Sequence, residues 1–372
     1  MKIAVVTPGR SHLLNMSKEL IHQGHDVKFY TMVPPSRCEA FGLPKKNVVS
    51  FFWICAPLML IFRKLRLPFD GNRYVYYAVV RIVDALAAWR LKYCDLLIGI
   101  SGCAIKSSKK ARRKYGAKIG CDRGCKHILS QKAILDATPN AETVFPPDIP
   151  KELEQYELAD YMALPSGHSR QSFIEHGVAE QKLFVNPYGV NIDNFKPTAL
   201  KQPAYDVIVV GNWCYQKGVD ILVEACRLQK CTLLHVGKLG DAPFPDGELF
   251  THIDPVDESR LPEFYERAKV LCLPSRQDGF GLVLFQAMRC GLPLVYSSET
   301  GGPDLRNLVS AKEYLFEFSE LTPEVLGETL ERATDLADKQ SGVRNYLTDS
   351  DLNNISWEAY GRRYNQFLKS IF

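Results

Sequence analysis

The side chains best placed to do chemistry lie between Pro274 and Leu305, in PSRQDGFGLVLFQAMRCGLPLVYSSETGGPDL. Asp278 stands at the mouth of a Gly279-Phe280-Gly281 turn. Gln286 follows eight positions later, one turn into an apolar-periodic segment whose spacing predicts a short helix. The two glycines of the turn give the backbone freedom and let main-chain N–H groups come close to a ligand. Further on, in Thr300-Gly301-Gly302-Pro303-Asp304, Pro303 suits the first position of a new helix, and the glycines leave its amides open. A helix start of this kind attracts anions. The stretch therefore aims two polar side chains and two sets of bare amides at one place, and is suited to holding an anionic ligand.

Strands and helices must position these groups. The apolar run Val270 to Leu273 reads as a buried strand entering the turn, while Gly291 and Pro293 end the helix before a strand from Leu294. The chain opens in the same manner, with a strand at Lys2–Thr7, a Pro8-Gly9-Arg10-Ser11 turn, a helix from His12 to Gln23, and a strand at Asp26–Thr31. Strands are predicted at Leu96–Ile100 and Lys118–Cys121, the latter followed by Asp122, Arg123, Lys126 and His127. A helix-strand pair covers Pro150–Leu164, then a helix from Ser169 to His176 and a strand at Leu183–Asn186. Alternating units of this kind make an α/β fold with doubly wound parallel sheets. Such sheets place ligands just beyond the carboxyl ends of their strands. No G-x-G-x-x-G follows the first strand, so a dinucleotide-binding dehydrogenase loses its main support.

A second unit begins after a Pro-containing linker near Lys196–Ala204. It has a strand at Asp206–Val210, the turn Gly211-Asn212 to Lys217-Gly218, a helix from Val219 to Leu228 and a strand at Thr232–Val236. His252 to Val256 precedes a helix predicted from Glu258 to Arg267. Amphipathic helices close the chain at Leu321–Lys339 and Trp357–Phe372. Asp349-Ser350-Asp351 has the spacing of a metal-binding Asp-x-Asp, but its place at a helix entry reads as capping, and no metal is expected. The domains are thus 1–197, 204–345 and a terminal helix, 346–372.

The chain of 372 residues has room for two sizeable cores, and its eleven scattered cysteines follow no disulfide framework. With a strand rather than a signal peptide at its start, it is expected in a reducing cytoplasm. Residues 1–196 hold 28 Lys and Arg against 17 Asp and Glu; the remainder holds 18 against 25. A basic half argues for an anionic partner, such as a phospholipid surface or a phosphate-bearing acceptor. Two features sharpen that expectation. The apolar run Val48–Phe62, followed by Arg63, Lys64 and Arg66, is too short to span a bilayer but suits a membrane interface or a buried strand plus helix. Lys106–Lys118 holds seven basic residues within thirteen positions. With one aromatic and no recognition motif, this cluster does not suit nucleic acid.

DGFGLVLFQAMRCGLP followed by TGGPDL resembles the donor-site motif of family-4 retaining glycosyltransferases, in which two Glu residues flank seven others around a GFG turn. Asp278 takes the place of the first Glu and Gln286 that of the second. The resemblance implies the GT-B arrangement, two Rossmann-like domains facing a cleft, and transfer of a sugar with retention from a nucleotide-diphosphate donor, UDP favoured over GDP. The acceptor is a saccharide or lipid-linked saccharide, and no cofactor is implied. By resemblance Asp278 orients the donor sugar, Gln286 holds the ribose and Lys217 neutralises the diphosphate, with Asn212 standing where the family has arginine. The turns at Gly279, Phe280, Gly281, Gly301 and Gly302 line the donor, and the backbone at Ile253 grips the base. His127 lies near the sugar or incoming hydroxyl, while Gly9, Arg10 and Arg123 face phosphate or acceptor, Arg123 otherwise pairing with Asp122. Because Asp278, Gln286 and Asn212 all depart from the pattern, a catalytically silent sugar-nucleotide-binding protein is an alternative, as is a sugar-nucleotide epimerase on the same plan.

Overall fold

The computed structural model describes residues 1–64, 69–197, 203–340 and 343–372. Arg66 and the middle of the linker lie outside the described residues. The apolar runs picked out by periodicity form two parallel sheets. The first contains β1 (Lys2–Val6), β2 (Asp26–Thr31), β3 (Val48–Ser50), β4 (Leu96–Ile100), β5 (Lys118–Asp122), β6 (Tyr161–Leu164) and β7 (Leu183–Val185), in the order β3-β2-β1-β4-β5-β6-β7. The second contains β8 (Tyr205–Val210), β9 (Leu233–Val236), β10 (Phe250–Ile253), β11 (Ala268–Leu273), β12 (Leu294–Ser297) and β13 (Leu315–Phe318), in the order β10-β9-β8-β11-β12-β13. Central strands such as β1 and β9 are buried on both faces, which is why they read as continuous apolar runs rather than alternating ones.

Both sheets reverse their winding at one point, between β1 and β4 in the first and between β8 and β11 in the second. Neighbouring loops diverge there and leave a crevice at the strand ends. The loops after β8 and β11 approach so closely that a methyl group on Gly218 would collide with the Pro274 carbonyl, and Gly218 also sits at φ 67°.

The last helix, Trp357–Ile371, lies against Leu13–His22 of the first domain. Tyr364 meets Tyr161 hydroxyl to hydroxyl at 3.0 Å, and Arg363 donates to Asn186 Oδ1 at 2.8 Å. Before it, Thr348 caps Asp349–Ile355 and Asp351 closes a capping box, so Asp351 serves the backbone. Among the described residues no three His, Cys, Asp or Glu converge as a metal site.

The element after β10 differs from the sequence reading. The helix expected over 258–267 is a 3₁₀ turn, Glu258–Arg260, then the four-residue helix Pro262–Tyr265. Pro262 has no N–H to continue the first turn and instead starts the second. The Val48–Phe62 run is the strand plus helix that the sequence offered, β3 and Phe52–Lys64 with Pro57 inside it, but the helix is not wholly buried and leaves Trp53 85% exposed.

Candidate active site at the domain interface

In the second domain the reversal point brings Lys217, after β8, against Asp278, after β11, as an ion pair. Burial would lower the Lys217 pKa, but the charge and hydrogen bond of Asp278 outweigh it and raise the pKa, so the ammonium is retained. Arg276 staples the same two loops, with both nitrogens on Asp220 at 2.6 and 2.7 Å and Nη1 donating to the Tyr215 carbonyl at 2.7 Å. This fork holds the Lys217 turn in place.

The glycines of the motif stand where expected, but their amides are not bare. Gly301 N donates to the Phe280 carbonyl at 2.9 Å, and Gly302 N to Thr300 Oγ1 at 3.1 Å. A side chain at Gly301 would strike the Phe280 ring, and one at Gly302 the Tyr296 ring. Pro303 begins a helix of only four residues, Gly302–Leu305. The bare amides expected there are corrected: both N–H groups are taken up within the loop, and the glycines allow close packing against aromatic rings. Gly279 plays the same part between domains, its α-carbon lying against the Gly124 carbonyl. Phe280 is buried and packs on Phe285 and Tyr188. Gly281, at φ 81°, starts the helix Leu282–Arg289. Gln286 is buried in that helix, where its Oε1 accepts from the Tyr265 hydroxyl at 3.1 Å. The Ile253 carbonyl, at the end of β10, accepts from Gly237 N at 3.0 Å. Asn212 is exposed and lines an open cleft between the domains, of about 860 Å³, whose walls include Arg123, Gln131 and Lys238.

His127 is not a cleft residue in the sense the sequence suggested. It is 3% exposed, caps the helix Ile128–Asp136 through Nδ1, and is enclosed by Tyr156, Phe173 and the stacked His176. Burial, then His176 and Arg123, push its pKa down to about 4. Arg123 does not pair with Asp122; it bonds Glu152 at 3.1 Å and Gln131 at 2.7 Å. Arg10 pairs across the domains with Glu258 at 2.9 Å and lies over the Phe41 ring. Nothing lies within 4 Å of the position a Gly9 side chain would take.

Sequence reasoning missed the partner that Asp122 does have. His12 Nε2 and Asp122 Oδ1 are 2.6 Å apart, and the imidazole lies 4.3 Å from the Tyr188 ring. Asp122 ends β5 and His12 stands at the start of the helix that follows β1, both on the carboxyl side of the first sheet, the one signal that could have joined them. Close by, the β5 loop grips the second domain: Lys126 pairs with Glu299, and Gln277 Nε2 meets Cys125 Sγ.

Comparison with known proteins decides the class of the second domain: residues 204–332 match the family model for glycosyl transferases group 1. Residues 204–332 form a group 1 glycosyl transferase domain. The chain resembles the amylovoran biosynthesis glycosyltransferase AmsK of Erwinia amylovora, at 28% identity over 344 residues, 79% of this chain and 80% of that one. It also resembles the D-inositol 3-phosphate glycosyltransferase of Xylanimonas cellulosilytica, at 28% over 156 residues, 34% of this chain and 37% of the relative. The chain spans little more than a third of the length of that relative and of two further curated relatives with the same kind of name, at 34% and 39%. Among solved structures, the sucrose-phosphate synthase of Thermosynechococcus elongatus superposes with a TM-score of 0.66 at 17% identity, covering 100% of this chain and 99% of that one. Anabaena HepE, solved with UDP and glucose, superposes at 0.62 with 15% identity and full coverage of both. These structures share the GT-B fold, so the group 1 domain is the second half of a two-domain GT-B chain.

Proposed function

We propose that this protein is a retaining glycosyltransferase of the GT-B type that moves a sugar from a nucleotide-diphosphate sugar to a saccharide or lipid-linked acceptor in polysaccharide synthesis. The observation that carries the reading is the Lys217–Asp278 pair, built at the reversal point of a group 1 domain and facing a second doubly wound domain. Departure of the nucleoside diphosphate leaves negative charge on its terminal phosphate. Lys217, kept charged by Asp278, is the cation that meets it, a preorganised form of electrostatic stabilisation. Asp278, released as Lys217 turns to phosphate, orients the donor sugar. Gln286, with its oxygen on Tyr265, offers its amide NH₂ to the ribose. A UDP donor is favoured because HepE was solved both with UDP and glucose and with UDP-glucose.

The test is a panel of UDP- and GDP-sugars screened for slow hydrolysis, with the anomer of the released sugar read by NMR before mutarotation. Release of the donor's own anomer supports retention; inversion overturns it, and no hydrolysis or transfer with any donor favours a silent binding protein.

The acceptor side is proposed to work at the inner face of a membrane. Among the described residues no helix is long and apolar enough to cross one. Instead, the helices Phe52–Lys64, Phe69–Arg90 and Ile105–Tyr115 pack side by side. They expose Trp53, Ile54, Leu60, Tyr76 and Trp89, with Lys109, Lys110 and Arg113 alongside Trp89. Exposed aromatics beside lysines fit an anionic phospholipid surface. Co-sedimentation with phosphatidylglycerol vesicles, abolished by Trp53→Ser with Trp89→Ser, is the expected result; equal recovery with neutral vesicles overturns it.

A further inference from the structure

We propose that His168, enclosed where the two domains meet and left without a protein partner at either ring nitrogen, binds hydroxyls of the sugar carried by the nucleotide donor. The assignment rests on the nucleotide-sugar reading above. His168 is the second residue of the helix Gly167–Glu175, and the chain on its N-terminal side is pinned to the second domain. Gly167 N donates to both carboxylate oxygens of Asp304, at 3.0 and 3.1 Å, and Ser166 Oγ donates to the Gly279 carbonyl at 2.7 Å. The imidazole is therefore carried on a segment that grips the GFG turn and the start of the Gly302–Leu305 helix together.

Lys126, Glu299 and Asp278 all act electrostatically on His168, but none bonds to it. Lys126 and Glu299 are paired with each other and Asp278 with Lys217, so the surrounding charges are satisfied elsewhere. Nδ1 and Nε2 of His168 are both shielded from solvent and have no hydrogen-bond partner among the described residues. The other buried or half-buried histidines of the strand-end loops and sheets differ. His12 has Asp122, His127 caps a helix, and His235 bonds Gly211 O and His252, each at 2.9 Å. A shielded polar group with no protein partner calls for a water, an ion or a ligand, and among the described histidines His168 is the one left so at both nitrogens.

The chemistry of the ring names that something. Burial, then the Lys126 charge, push the His168 pKa down to about 4, so the imidazole is neutral, with one donor and one acceptor nitrogen. A phosphate oxygen accepts only and would leave the second nitrogen unpaired. A sugar hydroxyl both donates and accepts, and vicinal hydroxyls satisfy both nitrogens.

The experiment is calorimetric titration of wild type, His168→Ala and His168→Asn with UDP, GDP, UDP-glucose, UDP-galactose, UDP-N-acetylglucosamine and GDP-mannose. His168→Ala is expected to bind the bare nucleotide within twofold of wild type and the preferred nucleotide sugar about tenfold more weakly, the loss of one or two neutral hydrogen bonds. His168→Asn recovers part of that loss. The melting temperature of His168→Ala does not fall, because two unpaired buried nitrogens are removed. Unchanged affinity for the nucleotide sugar, an equal loss for bare nucleotide, or a lowered melting temperature with both affinities reduced overturns the assignment. Wild type binding bare nucleotide but no nucleotide sugar overturns it too, whereas failure of wild type to bind any nucleotide removes the donor reading itself.

Discussion

At the carboxyl end of the second sheet Lys217 and Asp278 meet from adjacent strands, β8 and β11, whereas in the first sheet His12 and Asp122 meet from β1 and β5, with β4 between them. The two pairs occupy similar places in similar sheets but form differently. The second-domain loops are stapled by Arg276, and the two residues lie in two separate recognisable turns, 61 positions apart. The first-domain pair joins residues 110 positions apart, above a strand whose end, Ser101-Gly102, carries little bulk. A charged pair between neighbouring loops is a local product of the sheet reversal; a pair that skips a strand needs the finished sheet. The two pairs also differ in charge: Asp278 keeps Lys217 an ammonium against the pull of burial, whereas His12 is held by Asp122 and the Tyr188 ring within its own domain.

The sharpest way to break this contrast is Lys217→Ala, which should lower turnover by roughly 10²-fold or more, as loss of other preorganised charge-stabilising groups does. Near-normal donor consumption by that variant removes Lys217 from the mechanism. Gly279→Ala comes next: its methyl group has nowhere to go except into the Gly124 carbonyl, so the domains must part. A stability loss of about 1–3 kcal/mol in urea, with a larger radius of gyration by X-ray scattering, is expected; an unchanged scattering profile contradicts the closed interface.

His127→Ala should cost about 1 kcal/mol of stability by removing a helix cap and leave kcat within threefold of wild type. A large fall in kcat at unchanged stability would return His127 to the catalytic set. The smallest effect is in pH. The folded pKa of His127 lies near 4, below its unfolded value near 6.5, so the unfolded chain takes up the proton first. Its stabilising contribution is therefore complete above about pH 6.5 and is lost as pH falls toward 4. The urea midpoint should drop across that window, and His127→Phe should flatten the slope.

Much of the fold was legible because both sheets are buried on two faces, and their strands announce themselves as apolar runs closed by glycine and proline. β2 and β4 were read to the residue. The site was legible only in part. Asp278 and Lys217 could be named from the turns that carry them, but not their pairing, which is a property of β8 and β11 lying side by side. Glycine in a sequence says that something comes close; it does not say whether that something is a ligand or, as at Gly301 and Gly302, an aromatic ring of the same protein. His168 drew no notice because a histidine near a helix start has no signature, and its interest lies in the partners it lacks.

By itself, then, the sequence determined two doubly wound sheets, a glycine-punctuated turn between strand and helix at Gly279–Gly281, and a basic first half facing an acidic second. Those properties follow from hydrophobic period, turn chemistry and charge, all of which are local. The tertiary structure alone decided that His12 finds Asp122, that Lys126 crosses to Glu299, and that His168 is enclosed without a partner. Each of these depends on groups more than 100 residues apart, or on the contact of two domains, and no window of sequence contains that information.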